Sequence, residues 1–224
     1  METKVLKKEL GEKLKTAMPI LVFMPVYMVW FKILELVPFK FCYRTDLWID
    51  GSFPFIKYFI MPYFVWFAFI PFVAVYLLFK DEDEFRLFQN MMIGGMIIFL
   101  ILNTFFPTAI SLRPAYVTGS DIFSRLVRYL YSIDTATNVF PSIHVYTTVV
   151  AFASMMQCRG RLANNIFFRL AEGVLCVSII LATIFLRQHS LLDVASGFLM
   201  GMGMNYIITR HITRDATKYC EVVD

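Results

Sequence analysis

Residues 54–79 read PFIKYFIMPYFVWFAFIPFVAVYLLF. Lys57 is the single charge in a run long enough to cross a ~30 Å hydrocarbon core, for which about 20 apolar residues suffice. Pro62 and Pro71 lie inside it, and in a membrane neighbouring helices tolerate such kinks. The pattern repeats outward from this run. Similar blocks occupy Met18–Leu36 (with Pro25 inside), Phe88–Phe106, Ile143–Cys158, Ile166–Leu186 and Leu191–Thr209. Of the 224 residues 58% are apolar and 17% charged, against roughly 45–50% and about 25% in soluble domains. The sequence therefore predicts an all-α integral membrane protein with six transmembrane helices. The fourth block is the shortest and is expected to borrow its first turn from Asn138–Ser142.

Three parts follow along the chain. Residues 1–17 read as a lysine-rich, amphipathic cytoplasmic segment, 18–213 as the six-span domain and 214–224 as a cytoplasmic tail. The first span is too long for a signal peptide, and no small-residue cleavage site follows it. The acidic stretch Lys80–Arg86 reads as a wet inner loop. Orientation comes from Lys and Arg. With both termini inside, Lys4, Lys7, Lys8, Lys13, Lys15, Lys80, Arg86, Arg159, Arg161, Arg169, Arg210, Arg214 and Lys218 share the inner side. They outnumber Lys40, Arg44, Lys57, Arg113, Arg125, Arg128 and Arg187 on the outer side. This topology puts Arg113, His144 and His189 together at the outer surface.

The net charge of +4 suits anionic lipid headgroups. No basic stripe interleaved with aromatics points to nucleic acid. Of Cys42, Cys158, Cys176 and Cys220 only Cys42 faces outward in this topology, so no internal disulfide is expected. The long outer connection Pro107–Phe140 is the informative one, since loops of this length tend to be functional. Within it Ser120-Asp121 offers an N-cap. Ile122, Phe123, Leu126, Val127 and Leu130 then recur at helical spacing, predicting a short helix lying in the interface.

The chemistry lies in two histidines. His144 closes Phe140-Pro141-Ser142-Ile143-His144, and His189 begins the stretch that reaches Asp193 four residues on. Ionisable groups at membrane depth are costly and mark functional sites. A carboxylate one turn after His189 can hold that ring in one tautomer. Imidazoles can supply both a nucleophile and an acid near neutral pH, and a guanidinium such as Arg113 binds phosphate oxygens bidentately. Backbone N–H groups of Ser142–His144, opening a helix, add an anion-binding end. Taken singly, His189 with Asp193 also fits a structural interhelical hydrogen bond, worth roughly 0.6–2 kcal/mol in membranes. His144 alone also fits an interfacial histidine.

Arg113-Pro114, Pro141-Ser142-Ile143-His144, and His189 with Asp193 stand in an order and at span positions that resemble the type 2 phosphatidic acid phosphatase superfamily. The leader Tyr131–Phe140 (YSIDTATNVF) is similar to a membrane-bound branch that includes the inositol-phosphorylceramide and sphingomyelin synthases. The resemblance covers roughly Phe105–Gly201. It implies a phosphatidic-acid-phosphatase-like bundle and a two-step phosphoryl transfer that needs neither metal nor cofactor. His189 would attack phosphorus, and Asp193 would accept a hydrogen bond from its other ring nitrogen. His144 would protonate the departing oxygen and later activate water or an alcohol. Arg113 and Ser142 would bind the phosphate. Asp134 and Asn138 would line the pocket, although each fits a cap or turn before the fourth span equally well.

Two cations of the superfamily pattern are missing. Phe106 stands seven residues before Arg113, where Lys is frequent, and Thr183 six before His189, where Arg is common. Arg187, one turn after Thr183, can take over one role provided the helix continues. The expected function is a lipid-phosphate or lipid-diphosphate phosphatase whose partners are membrane lipids. Small size and the lack of a cleavable signal point to a bacterial inner membrane, with the site facing outward. A lipid headgroup phosphotransferase shares the chemistry up to the second step, and the missing cations keep a non-enzymatic lipid carrier open. An iron oxidase built on two His and one Asp finds no further histidine boxes. Spacing names neither the lipid nor the oligomeric state.

Overall fold

Among the described residues five helices are long and apolar enough to cross a membrane. The computed structural model describes the backbone of residues 2–221 and the side chains of residues 8–209. The tail at 214–224, Cys220 and the terminal cations Lys4, Lys7, Arg210, Arg214 and Lys218 fall outside the described side chains. Among the described residues the chain forms α1 (Glu2–Leu34), β1 (Tyr43–Arg44), α2 (Ile60–Lys80), α3 (Glu82–Phe105), β2 (Thr108–Ala109), α4 (Ile122–Ile133), α5 (Ile143–Gln157), α6 (Ile166–Phe185) and α7 (Leu191–Glu221). The five membrane-length helices are α1, α2, α3, α6 and α7.

α5 is shorter, and its place explains why it can be. It sits against α2, α3, α6 and α7, with Val145 through Ala151 almost wholly buried. At 1.5 Å per residue it rises only about 22 Å, but a helix walled by protein has little hydrocarbon to match. Tyr146, Val150, Ala151 and Met155 form the main core with Val73, Leu77, Phe85, Phe88, Met91 and Met92. α1 covers one side, packing chiefly on α3 through Tyr27, Leu34, Phe99 and Leu100. Its opposite face leaves Leu21, Val22, Val26 and Val29 exposed, as a lipid-facing surface would.

Small residues bring α7 onto α5. A Cβ on Gly197 would overlap the carbonyl oxygen of Ser142, and one on Gly201 would press on Val149 at 2.8 Å. Gly203, the third glycine of that run, faces open space. α4 covers the end of α2 and α6, as its apolar spacing requires. Val127 and Leu130 are buried with Ile60, Tyr63, Ala182 and Leu186, and Asp121 caps it by accepting from the Ser124 N–H at 3.2 Å.

The structure revises three boundaries. Residues 54–59 precede α2 in irregular and 3-10 backbone, which leaves Pro62 in the first helical turn, where no intrahelical N–H is needed. Residues 138–142 are not helical. α5 begins after Ser142, whose hydroxyl accepts from the Val145 N–H at 3.4 Å. The Lys80–Arg86 stretch is a helix start rather than a loop. Asp81 caps α3, and Glu82 gathers Lys13 at 2.9 Å and Arg86 at 2.7 Å.

Candidate active site

One end of the bundle brings the two histidines together. His144 stands in the first turn of α5 and His189 two residues before α7. Their rings meet, with His144 Nδ1 3.3 Å from His189 Nε2. The convergence rests on backbone. The Ser142 N–H donates to the Asp193 carbonyl at 2.9 Å, which pins the start of α5 to the first turn of α7.

Asp193 is fully buried. It shares a reciprocal cap with Ser190, the Ser190 N–H donating to Asp193 Oδ2 at 2.8 Å and the Asp193 N–H to Ser190 Oγ at 3.1 Å. That cap holds Oδ2 3.8 Å from His189 Nδ1, beyond hydrogen-bond length. Asp193 Oδ1 and His189 Nδ1 are both buried without a partner. The expected hydrogen bond is thus not made in this structure.

Tyr63, in the first turns of α2, is a member of the cluster that spacing did not mark. Its hydroxyl donates to Asp134 Oδ2 at 2.8 Å and lies 2.9 Å from His144 Nε2. Trp66, one turn on, packs its ring 4.4 Å from that of His144 and donates its indole N–H to Thr147. Asp134 closes the end of α4. Burial raises its carboxyl above the usual carboxylate range, against the pull of the Arg113 charge and the Tyr63 hydrogen bond.

Arg113 reaches this cluster from behind. Its guanidinium donates to the carbonyls of Asp134 at 2.7 Å and Thr135 at 2.9 Å, and to the side-chain oxygen of Gln188. It also stacks 4.5 Å over the Tyr131 ring. Gln188, the neighbour of His189, is buried with its Nε2 unpartnered. A cavity of about 30 Å³ lies between Phe31, Phe99, Asp134, Asn138, Gln188 and the two histidines. That is room for about one or two waters.

Asn138 lines the cavity in left-handed backbone, φ 55°, which asparagine tolerates better than most residues. Both side-chain polar atoms are buried and unpartnered. The loop leading to Ser142 is held by a buried polar knot that sequence reading also missed. Thr108 Oγ1 accepts from the Val139 and Phe140 N–H groups at 3.0 Å each and donates to Asn103 Oδ1 at 2.9 Å.

Arg187 is not brought to the histidines. The helix does not continue past Phe185. It closes with the Arg187 N–H donating to the Ile184 carbonyl and the Gln188 N–H to the Thr183 carbonyl, both at 2.9 Å. This is the two-bond stop that places one residue in left-handed backbone. That residue is Arg187, φ 53°, and its guanidinium donates to the carbonyls of Asp50 at 3.3 Å and of Phe53. Asp50, also unanticipated, accepts from the Leu191 N–H at 2.9 Å. Phe106 is exposed at the bundle surface and Thr183 is buried in α6.

A family model described as the PAP2 superfamily matches residues 88–216, more than half of the chain. The chain belongs to the PAP2 superfamily. The match runs from α3 through α5 and α6 into α7, and so contains Arg113, His144, His189 and Asp193, whereas Tyr63 precedes it. Neither curated proteins nor solved structures gave a match to this chain. Superfamily membership and the apolar helices make this a membrane protein of the lipid-phosphatase-like class, within a superfamily of phosphatases and phosphotransferases.

Proposed function

We propose that the protein is a lipid-phosphate or lipid-diphosphate phosphatase acting at the outer membrane face through a phosphohistidine on His189. The observation that carries this reading is the meeting of His144 and His189 at 3.3 Å in a member of this superfamily. In the first step Nε2 of His189 attacks phosphorus, the bond to the lipid oxygen breaks, and His144 gives that oxygen its proton. In the second, His144 takes a proton from water as it attacks, and the P–N bond breaks to release phosphate. Asp193 stabilises the charge that builds on His189. Arg113, Gln188, Asn138 and the N-terminus of α5 at Ser142 bind phosphoryl oxygens.

Membrane placement follows from charge. Among the described side chains the histidine end carries Lys40, Arg44, Lys57, Arg113, Arg125, Arg128 and Arg187, and the opposite end Lys8, Lys13, Lys15, Lys80, Arg86, Arg159, Arg161 and Arg169, to which the expected topology adds Lys4, Lys7, Arg210, Arg214 and Lys218. Excess Lys and Arg marks the cytoplasmic side, which supports reading the site as outside, the termini as inside and α5 as a sixth crossing. A bacterial inner membrane suits this arrangement. A headgroup phosphotransferase is the second reading, favoured by Asp134 and Asn138 of the synthase-like leader lining the cavity.

The purified protein, given phosphatidic acid in detergent micelles with excess chelator, should release inorganic phosphate. His144→Ala should lower the rate by about 10²–10⁴-fold, the usual worth of acid–base help, and His189→Ala should abolish turnover. Transfer of phosphate to an added alcohol, without inorganic phosphate, selects the second reading. Undiminished turnover in both variants overturns the first.

A further inference from the structure

The two imidazoles are backed differently. His189 has Asp193 beside it. His144 has a phenol, and behind the phenol a second buried carboxylate. The chain of atoms runs Asp134 Oδ2, Tyr63 hydroxyl, His144 Nε2 at steps of 2.8 and 2.9 Å. Tyr63 has one hydrogen to give. With Asp134 ionised that hydrogen goes to the carboxylate, so the phenol oxygen accepts from His144 Nε2–H. This assigns the His144 tautomer from its partners and leaves Nδ1 facing His189.

A consequence follows for the 3.3 Å contact. A proton on His189 Nδ1 toward Asp193 leaves a lone pair on Nε2, and the neutral His144 tautomer places a lone pair opposite it on Nδ1. Two lone pairs do not hydrogen bond. The contact closes when the pair holds one additional proton, on Nδ1 of His144 or Nε2 of His189.

We infer that Tyr63 and Asp134 are positioning residues that fix His144 with hydrogen on Nε2 and present Nδ1 as the proton-carrying atom for the leaving oxygen. This rests on the phosphatase reading above and supplies it with a second carboxylate relay, on the acid rather than on the nucleophile. The groups facing His144 are Tyr63 and Trp66 from α2 and His189 from the turn before α7. Asp134 stands behind Tyr63 and Arg113 behind Asp134. As Nδ1 gives up its proton to the lipid oxygen, Nε2–H stays on the phenol. As Nδ1 regains a proton from water, the positive charge on the ring is stabilised through the phenol by Asp134.

Two measurements test the inference. The first needs no substrate. In protein carrying ¹⁵N-histidine, with signals assigned by single histidine variants, neutral His144 should be protonated at Nε2. Tyr63→Phe should shift that balance toward Nδ1–H. An Nδ1–H form in the unaltered protein, or the same balance in Tyr63→Phe, overturns the relay. The second compares leaving groups. Phosphatidic acid needs a proton on its departing oxygen, whereas p-nitrophenyl phosphate releases a phenolate without one. Tyr63→Phe and Asp134→Asn should each lose roughly 10²-fold in kcat/KM on phosphatidic acid, within the range for a mispositioned acid, and little in kcat/KM on p-nitrophenyl phosphate, since kcat/KM reports phosphoryl transfer to His189 and not the hydrolysis step that both esters share. Equal losses on both esters, or none, contradict it. His189→Ala separates the two levels. Loss of both esters there supports the underlying reading, and retention of both overturns that reading, while the tautomer of His144 still decides the relay by itself.

Discussion

The backbone N–H of Ser142 donates to the backbone carbonyl of Asp193 at 2.9 Å. This one bond joins the residue that caps α5 to the residue that follows His189 by a turn, so each histidine sits a fixed step from a shared anchor. The spacing of both motifs acquires its meaning there. His144 and Asp193 stand on different helices, yet their relative position is set by main chain rather than by long side chains.

Gly197 guards that anchor, because a methyl there would run into the Ser142 carbonyl. Gly197→Ala is expected to destabilise the protein by about 1–3 kcal/mol, the usual cost of overpacking, and to lower activity with it. Gly203→Ala faces open space and should be neutral or stabilising by up to about 1 kcal/mol. Thermal unfolding in detergent checks both, and equal effects would contradict this view of the helix contact.

Thr108 supports the other side of the anchor. Thr108→Val removes the acceptor of two N–H groups, those of buried Val139 and half-buried Phe140, at roughly 1–3 kcal/mol for the buried group left unsatisfied and less for the other. Thr108→Ser keeps the hydroxyl and should restore most of the loss. Melting temperatures of the two variants decide it.

Arg187 should behave as a strap for the loop before α2. Its left-handed backbone suits glycine, so Arg187→Gly relieves strain while releasing the Asp50 and Phe53 carbonyls. We expect altered thermal stability with vanadate inhibition changed less than about threefold. Arg113→Ala should weaken that inhibition at least tenfold, about 1.4 kcal/mol, as loss of a charge-assisted contact does. A large loss of vanadate affinity in Arg187→Gly would return Arg187 to the phosphate site.

Asp134 predicts a pH dependence with a definite sign. Burial raises its folded value above the ordinary carboxylate figure of about 3.9. Between those two values the native chain binds more protons than the unfolded chain, so this group's contribution to stability falls as pH rises. Asp134→Asn removes the dependence. The melting temperature of the variant relative to the unaltered protein should therefore rise as pH increases from about 4. A difference flat with pH contradicts it.

The histidine motifs were legible because few polar residues interrupt the apolar blocks, and those that do stand out at membrane depth. Asp121 announced α4 for a related reason, being a capping residue directly before an apolar 3–4 spacing. Tyr63 was hidden because it lies in an aromatic run where a phenol reads as core. Gln188 is a neutral side chain between Arg187 and His189, and its contact with Arg113 depends on a distant loop. The end of α6 was disguised because arginine occupies the left-handed stop position that glycine usually marks. Without that mark a helix running on past Leu186 stays open, and only a helix that runs on aims Arg187 at the phosphate.

The proposed reaction turns on covalent chemistry at one nitrogen of His189. The most direct measurement is mass spectrometry of protein quenched during turnover of phosphatidic acid under conditions that preserve P–N bonds. The expected result is a phosphoryl group on His189 and none in His189→Ala. A quenched enzyme that turns over normally while carrying no phosphate, or carrying it on another residue, would contradict it.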